Sequence, residues 1–241
     1  MSCITKDGIV LVADSRAVFI DNGVVTAYFE GEKKIFQYKK ILVAVSGALT
    51  LNGNLKVNGL FTKFNKETKR KIRVEYFYDV FMEFAKRNLS ERDFLMLKRD
   101  CFIINGYINN NPAIYKYRND YRDSLLQIGF ITNDIVDKDY SKEITNIFKT
   151  FTISETTDFV KKFIESKIII ANKNGIGHIG GGLSIANIYK HKINWKQRND
   201  SISFNSKDEF VNSFNKHLIK FWYKSYDDSI RFILTMKKFK S

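Results

Sequence analysis

Strand-like and helix-like segments fall in separate blocks along this chain. That order predicts a layered α+β fold, a sandwich of sheets covered by helices on both outer faces. Two further observations bound the prediction. The 241 residues are 44% hydrophobic and 27% charged, which is enough apolar material for a sizeable core and too much for a disordered chain. A single proline, Pro112, and the lack of any Gly/Ser-rich or Pro-rich linker leave no place to divide the chain, so residues 1–241 read as one domain. No repeat with a period of roughly 20 to 50 residues is visible, which argues against solenoids and propellers.

The first fifty residues are strand-like, in the runs Cys3–Thr5, Ile9–Asp14, Val24–Phe29, Lys34–Tyr38 and Ile41–Val45. Lys6-Asp7-Gly8 between the first two is a hairpin signal, because Asp-Gly suits the left-handed backbone of a tight turn. Ala48–Asn65 then carries Leu51, Leu55, Leu60 and Phe64 at near-helical spacing, interrupted by Gly53 and Gly59. Val74–Arg87 is the clearer helix, with Phe77, Val80, Phe81 and Phe84 as an apolar stripe that reads as core. Cys101–Ile108 and Ala113–Tyr117 form a second hairpin, closed by Asn109–Pro112. Ser154, followed by Glu155 and the periodic residues Phe159, Phe163 and Ile164, marks the start of another helix. Leu183–Tyr189 returns to strand, Lys207–Phe221 to helix and Ser229–Met236 to strand.

Three blocks in the first half carry a resemblance. Lys6-Asp7-Gly8-Ile9-Val10-Leu11-Val12-Ala13-Asp14-Ser15-Arg16, then Lys33-Lys34-Ile35-Phe36, then Val43-Ala44-Val45-Ser46-Gly47 resemble, in order and spacing, the proteasome β-subunit family of N-terminal nucleophile hydrolases. Phe102–Tyr107 and Gly180-Gly181-Gly182-Leu183-Ser184-Ile185 are weaker echoes, and residues 195–241 read as a C-terminal extension with no counterpart. The resemblance implies a four-layer αββα sandwich of two mainly antiparallel sheets. It also implies cleavage of peptide or other amide bonds by the first residue, exposed by processing. Asp14 aligns with the family's catalytic aspartate, Lys34 with its lysine, and Gly47 with the glycine whose N–H stabilises the oxyanion. In such a site the free α-amine acts as the base for its own side chain, and the lysine favours the neutral amine and the ionised nucleophile.

Two residues compete for the nucleophile's place. Ser2 follows Met1 directly and is small enough to permit removal of the initiator methionine. Its even interval to Asp14 predicts the same facing if the hairpin is shortened equally on both strands. Cys3 is the better intrinsic nucleophile, but its interval is odd and Ser2 would also have to be removed. The hydrolase is the leading reading, but departures from the family pattern lower the expected activity and leave a second one open. The mid-chain Gly-Ser-Gly falls at Ile128-Gly129-Phe130, and the late Asp-x-x-Ser-Gly-Gly falls at Gly177-His178-Ile179-Gly180-Gly181-Gly182. Both supporting hydroxyls and the acid are absent. The alternative is therefore a catalytically inactive protein of the same fold that acts by association, with an acidic partner as one candidate.

Other chemistries find little support. His178, His191 and His217 are not at metal-ligand spacing, Cys3 and Cys101 are far apart, and the glycine run lacks a P-loop lysine, so no cofactor or metal is expected. The net charge of +14 leaves nucleic acid open, but the densest run, Lys66–Arg73, has no interleaved aromatic for base stacking. No apolar run approaches the roughly 20 residues of a membrane-spanning helix, the start does not read as a secretory signal, and two cysteines suit a reducing cytoplasm. The resembled family works in rings. A homo-oligomer, ring-forming included, is thus expected, with the aromatic helix around Tyr76, Phe77, Phe81 and Phe84 as a source of apolar surface.

Overall fold

A computed structural model describes residues 1–21, 24–47, 57–119, 121–132, 138–173 and 179–198. The chain opens with β1 (Ser2–Ile4) and β2 (Ile9–Asp14), joined by the expected tight turn, but it turns on Lys6 and Asp7 and neither Asp7 nor Gly8 takes the left-handed backbone expected of Asp-Gly. Thr5 N–H donates to Gly8 O at 2.9 Å, and the Asp7 carboxylate accepts from Thr5 Oγ1 and from Ile153 N–H, both at 2.9 Å. A short ribbon, β3 (Arg16–Asp21) and β4 (Val24–Glu30), follows and pairs only with itself. Next come β5 (Ile35–Tyr38) and β6 (Ile41–Ser46), then α1 (Val57–Glu67), a 3-10 turn at Val74–Tyr76, α2 (Phe77–Asn88) and α3 (Glu91–Arg99). The middle of the chain supplies β7 (Cys101–Ile108), β8 (Asn111–Arg118), β9 (Tyr121–Leu125) and β10 (Gly129–Ile131). Two helices, α4 (Lys138–Thr150) and α5 (Ile153–Lys173), precede β11 (Leu183–Ile188) and β12 (Ile193–Gln197).

Two five-stranded antiparallel sheets result, ordered β10-β1-β2-β11-β12 and β5-β6-β7-β8-β9. Period-two alternation gives each sheet two apolar faces, and three hydrophobic layers account for them. The inner layer joins the sheets through Ile4, Ile9, Leu11, Leu42, Ile103 and Ile114. Val10, Val12, Leu183 and Ile185 pack outward on Ile144, Phe148, Val160 and Ile164 of α4 and α5. Phe36, Val43, Phe102 and Tyr117 pack outward on α1 and α2. The molecule is thus the four-layer αββα sandwich that the sequence predicts.

Several elements differ from the sequence reading. The second hairpin turns on Asn109 and Asn110 alone, both at positive φ (48° and 72°), and Pro112 lies within β8 opposite Tyr107. Asparagine tolerates that left-handed backbone, so two residues suffice for the turn. The α5 helix starts one residue before Ser154. Thr152 N–H and Oγ1 both donate to Glu155 Oε2 at 2.7 Å, a reciprocal cap whose donors hold the Glu155 carboxyl below its ordinary range. The segments β3, α3, β9, β10, α4 and β12 were not predicted. In Glu91–Arg99 the apolar residues Phe94–Leu97 are consecutive and not periodic, with only Leu97 of them buried, and Gly129–Ile131 is three residues long. Residues 48–56, the helix expected at Lys207–Phe221 and the strand at Ser229–Met236 lie outside the described residues. So does all but the start of the 195–241 extension, whose first residues belong to β12.

The aromatic stripe of α2 is consumed by the core. Phe77 and Phe81 are fully buried and Phe84 nearly so, while Tyr76 is 54% exposed, so this helix has no surplus aromatic face to offer a neighbouring subunit. Phe61 sits between Phe36 and Phe81, stacked on both at centroid distances of 4.4 and 4.3 Å. Phe61→Ala is expected to destabilise the domain by about 3–5 kcal/mol, read from urea unfolding, with Phe61→Leu losing much less because most of the volume is kept.

Candidate active site

Asp14 ends β2 at one end of the sandwich, where four segments converge. Its Oδ1 accepts from Lys34 Nζ at 2.9 Å, and its Oδ2 accepts from the backbone N–H groups of Arg16 and Gly180, each at 3.2 Å. The two side chains are 16% and 13% exposed, so the pair is mostly shielded from water. Arg16 Nη2 pairs in turn with Glu30 Oε1 at 2.8 Å, and its guanidinium lies so close over Gly180 that a Cβ there would overlap it. Gly180 is therefore in close contact with Arg16, whose guanidinium would have to move to admit a Cβ there. Gly181 has a φ of +72°, and Ser15 Oγ accepts from Gly31 N–H at 3.3 Å beside it.

Gly47 lies at the same end. Lys34 O accepts from Val45 N–H at 2.9 Å, and Gly47 is two residues beyond Val45, at the exit of β6. Its φ of +147° and the Asp100 carboxyl packed where a Cβ would stand both require glycine. Asp14, Lys34 and Gly47 are thus brought to one end of the molecule.

Ser2 is not placed with them. The two-residue turn pairs Ser2 with Leu11 and Cys3 with Val10, so facing residues sum to an odd number. An even interval then means opposite phase. Ser2 is in step with Leu11 and Ala13, and it is Cys3 that alternates in step with Val12 and Asp14. This corrects the facing expected for Ser2, which assumed equal shortening of both strands and not this register. Along the strand, Leu11 is three residues before Asp14, about 10 Å at the usual rise. The Ser2 hydroxyl is fully buried between the sheets and donates to Asn105 Oδ1 on β7. Asn105 Nδ2 donates to Leu42 O at 3.2 Å and Ile103 O at 3.1 Å, which fixes the amide's orientation. An amide oxygen accepts a proton in hydrogen bonding but does not remove it, so Asn105 holds the Ser2 hydroxyl protonated.

Met1 is opposite Val12, with its α-ammonium donating to Val12 O at 2.8 Å and its carbonyl accepting from Val12 N–H at 2.9 Å. Cys3 faces the helix side, fully buried among Val10, Val12 and Phe148. Burial pushes its thiol up to about 12, with the nearby α-ammonium a smaller opposing influence. Cys101, on the inner face at the start of β7, is also raised by burial, against the pull of Lys116, Arg118 and the α-ammonium. Sequence reasoning missed the role of Asn105, which was findable as a lone amide in the apolar run Phe102–Tyr107. His178 lies outside the described residues, and among the described residues no group of three or more His, Cys, Asp or Glu is placed to hold a metal.

This architecture, an αββα sandwich of two antiparallel sheets, has counterparts among solved structures. Solved chains share it across nearly their whole length. An Anbu mutant from Hyphomicrobium sp. strain MC1 superposes with a TM-score of 0.51 at 14% identity, covering 93% of this chain and 96% of that one. Anbu (ancestral beta-subunit) from Yersinia bercovieri gives 0.51 at 12% identity with the same coverage. At such identities the likeness is one of fold. No protein-family model and no curated protein matches the sequence.

The Cys3 environment makes a prediction with a definite sign. The folded thiol ionises near 12 and an ordinary one near 9, so the stability this group contributes is complete below pH 9 and is lost as pH rises toward 12. Iodoacetamide at pH 8 is accordingly expected to leave Cys3 unmodified in the folded protein and to alkylate it once urea unfolds the chain, as read by peptide mass.

Proposed function

We propose that the chain is a proteasome-like subunit that, with Ser2 bonded to Asn105, acts by association and does not hydrolyse amide bonds. One observation carries this reading. The Ser2 hydroxyl is donated to an amide carbonyl inside the sandwich, out of phase with Asp14 and about 10 Å along the strand from it. A nucleophile needs a base within hydrogen-bond reach, and this hydroxyl has an acceptor that is not one.

A second reading has its own support in the Asp14–Lys34 pair. It is a hydrolase cleaving peptide or other amide bonds, in which processing presents an N-terminal Ser2 or Cys3 to Lys34. The α-amine would then serve as base and the Gly47 N–H would face the oxyanion. That form requires β1 to leave the Ser2–Asn105 bond and shift along β2. Intact mass after treatment with a β-lactone or epoxyketone probe separates the two readings. Association predicts no adduct in wild type or in Lys34→Ala. An adduct on the N-terminal residue that disappears in Lys34→Ala would establish the hydrolase instead.

Association is proposed to begin with copies of this chain, in the reducing cytoplasm that suits its two free, buried cysteines. Support comes from the fold shared with a protein described as a beta-subunit. The net charge of +14 opposes close packing of identical subunits at low salt, and screening weakens that repulsion. Sedimentation is therefore expected to show a species larger than the monomer at moderate salt and partial dissociation at low salt. A monomer under both conditions contradicts self-association.

A further inference from the structure

The end of the sandwich opposite Asp14 carries a cleft of about 720 Å³ between the tips of three hairpins. Lys39 and Lys40 come from the β5–β6 turn, Lys71 and Arg73 from the segment ahead of α2, and Lys190 with His191 from the β11–β12 turn. Segments more than a hundred residues apart in sequence thus place five cations around one concavity. A single carboxylate, Glu75, joins the lining, and Arg73 is already ion-paired with it. Among the described residues no carboxylate pairs with Lys40, Lys71 or Lys190. From this cleft we propose that the hairpin-tip end binds an acidic polypeptide segment of a partner protein. The proposal concerns a surface remote from the Asp14–Lys34 corner and does not depend on whether that corner hydrolyses amides.

Two features support a site over a scatter of surface lysines. The basic segment is anchored: Lys39 Nζ donates to Lys69 O at 2.6 Å and Arg70 O at 3.0 Å, and Tyr38 Oη donates to Thr68 O at 3.1 Å. These bonds hold Lys71 and Arg73 at the cleft, so less chain entropy is lost when a ligand binds. The lining is also mixed. Ile41, Ile72 and Val74 form its largely buried floor and the half-buried Ile108 adds apolar surface between the cations, which suits a peptide carrying both carboxylates and apolar side chains.

The aromatic inventory disfavours a nucleic acid. Tyr38 is buried against Phe64 and Phe77 with Lys39 Nζ over its ring, and Tyr107 is packed on the inner core with its hydroxyl donated to Ile188 O at 3.2 Å. Neither ring presents a free face for base stacking, the feature that single-stranded nucleic-acid sites use.

Fluorescence anisotropy of labelled oligoglutamate tests the proposal on the full chain. Binding is expected to weaken as salt rises, and Lys40→Glu/Lys71→Glu/Lys190→Glu to weaken it by about tenfold or more. The control is Lys86→Glu/Lys149→Glu/Lys162→Glu, exposed lysines on the helical layers that change the net charge by the same amount. It should weaken binding far less. Circular dichroism melts verify that both variants fold, and the corresponding glutamine substitutions replace any that do not. Equal loss in the control would mean that net charge alone attracts the peptide and would overturn the site. Stronger, cleft-dependent binding of an oligothymidylate of equal charge would overturn the choice of a polypeptide.

Discussion

The tight turn between Thr5 and Gly8 decides which side chains meet inside the sandwich. With Thr5 N–H bonded to Gly8 O, Ile4, Ile9 and Leu11 face the second sheet, and Cys3, Val10 and Val12 face α4 and α5. Ser2 shares the inward phase and finds Asn105. A slip of one residue would move the hydroxyl into the layer of Ile144 and Phe148, where an unmatched buried hydroxyl costs about 1–3 kcal/mol. It would also leave Asn105 Oδ1 without its donor. The register is thus held from both sheets at once, by an apolar alternation and by one cross-sheet hydrogen bond.

The two ends of the sandwich are built on different principles. At the Asp14 end a carboxylate gathers a lysine and two backbone N–H groups, tying together the exit of β2, the entry of β5 and the glycine run before β11. Charge is neutralised there and the glycines lie in close contact with their neighbours. At the hairpin-tip end cations accumulate around an open cleft with one paired carboxylate among them. Neutralised charge organises structure, whereas uncompensated charge beside a concavity attracts a partner of opposite sign. The polar groups of this molecule are therefore divided between a closed corner and an open one.

Much of the fold was legible in the sequence because its strands alternate cleanly and its first turn is signalled by Asp-Gly. Ile9–Asp14 and Cys101–Ile108 are strands at their predicted limits, and Asp14 and Lys34, both singled out in the sequence, form an ion pair. What was not legible depends on tertiary context. The facing of Ser2 rests on a register that the interval to Asp14 alone does not reveal, since equal and unequal shortening of the two strands give the same count. Gly129–Ile131 becomes a strand only because Ser2–Ile4 offers it an edge. Tyr76 and Phe77 are neighbours of similar character, yet the 3-10 turn before α2 leaves one in solvent and buries the other.

Ser2 and Asn105 are direct partners across the two sheets. Ser2→Ala, Asn105→Ala and the double variant, compared by urea unfolding, form a cycle that subtracts what each residue does separately. That includes the loss of the Asn105 bonds to Leu42 O and Ile103 O. If the two are direct partners, a coupling of about 1 kcal/mol or more is expected, with the second substitution costing clearly less once the first is made. Strict additivity of the two single effects would contradict this pairing, because it would mean that the Ser2 hydroxyl does not point between the sheets.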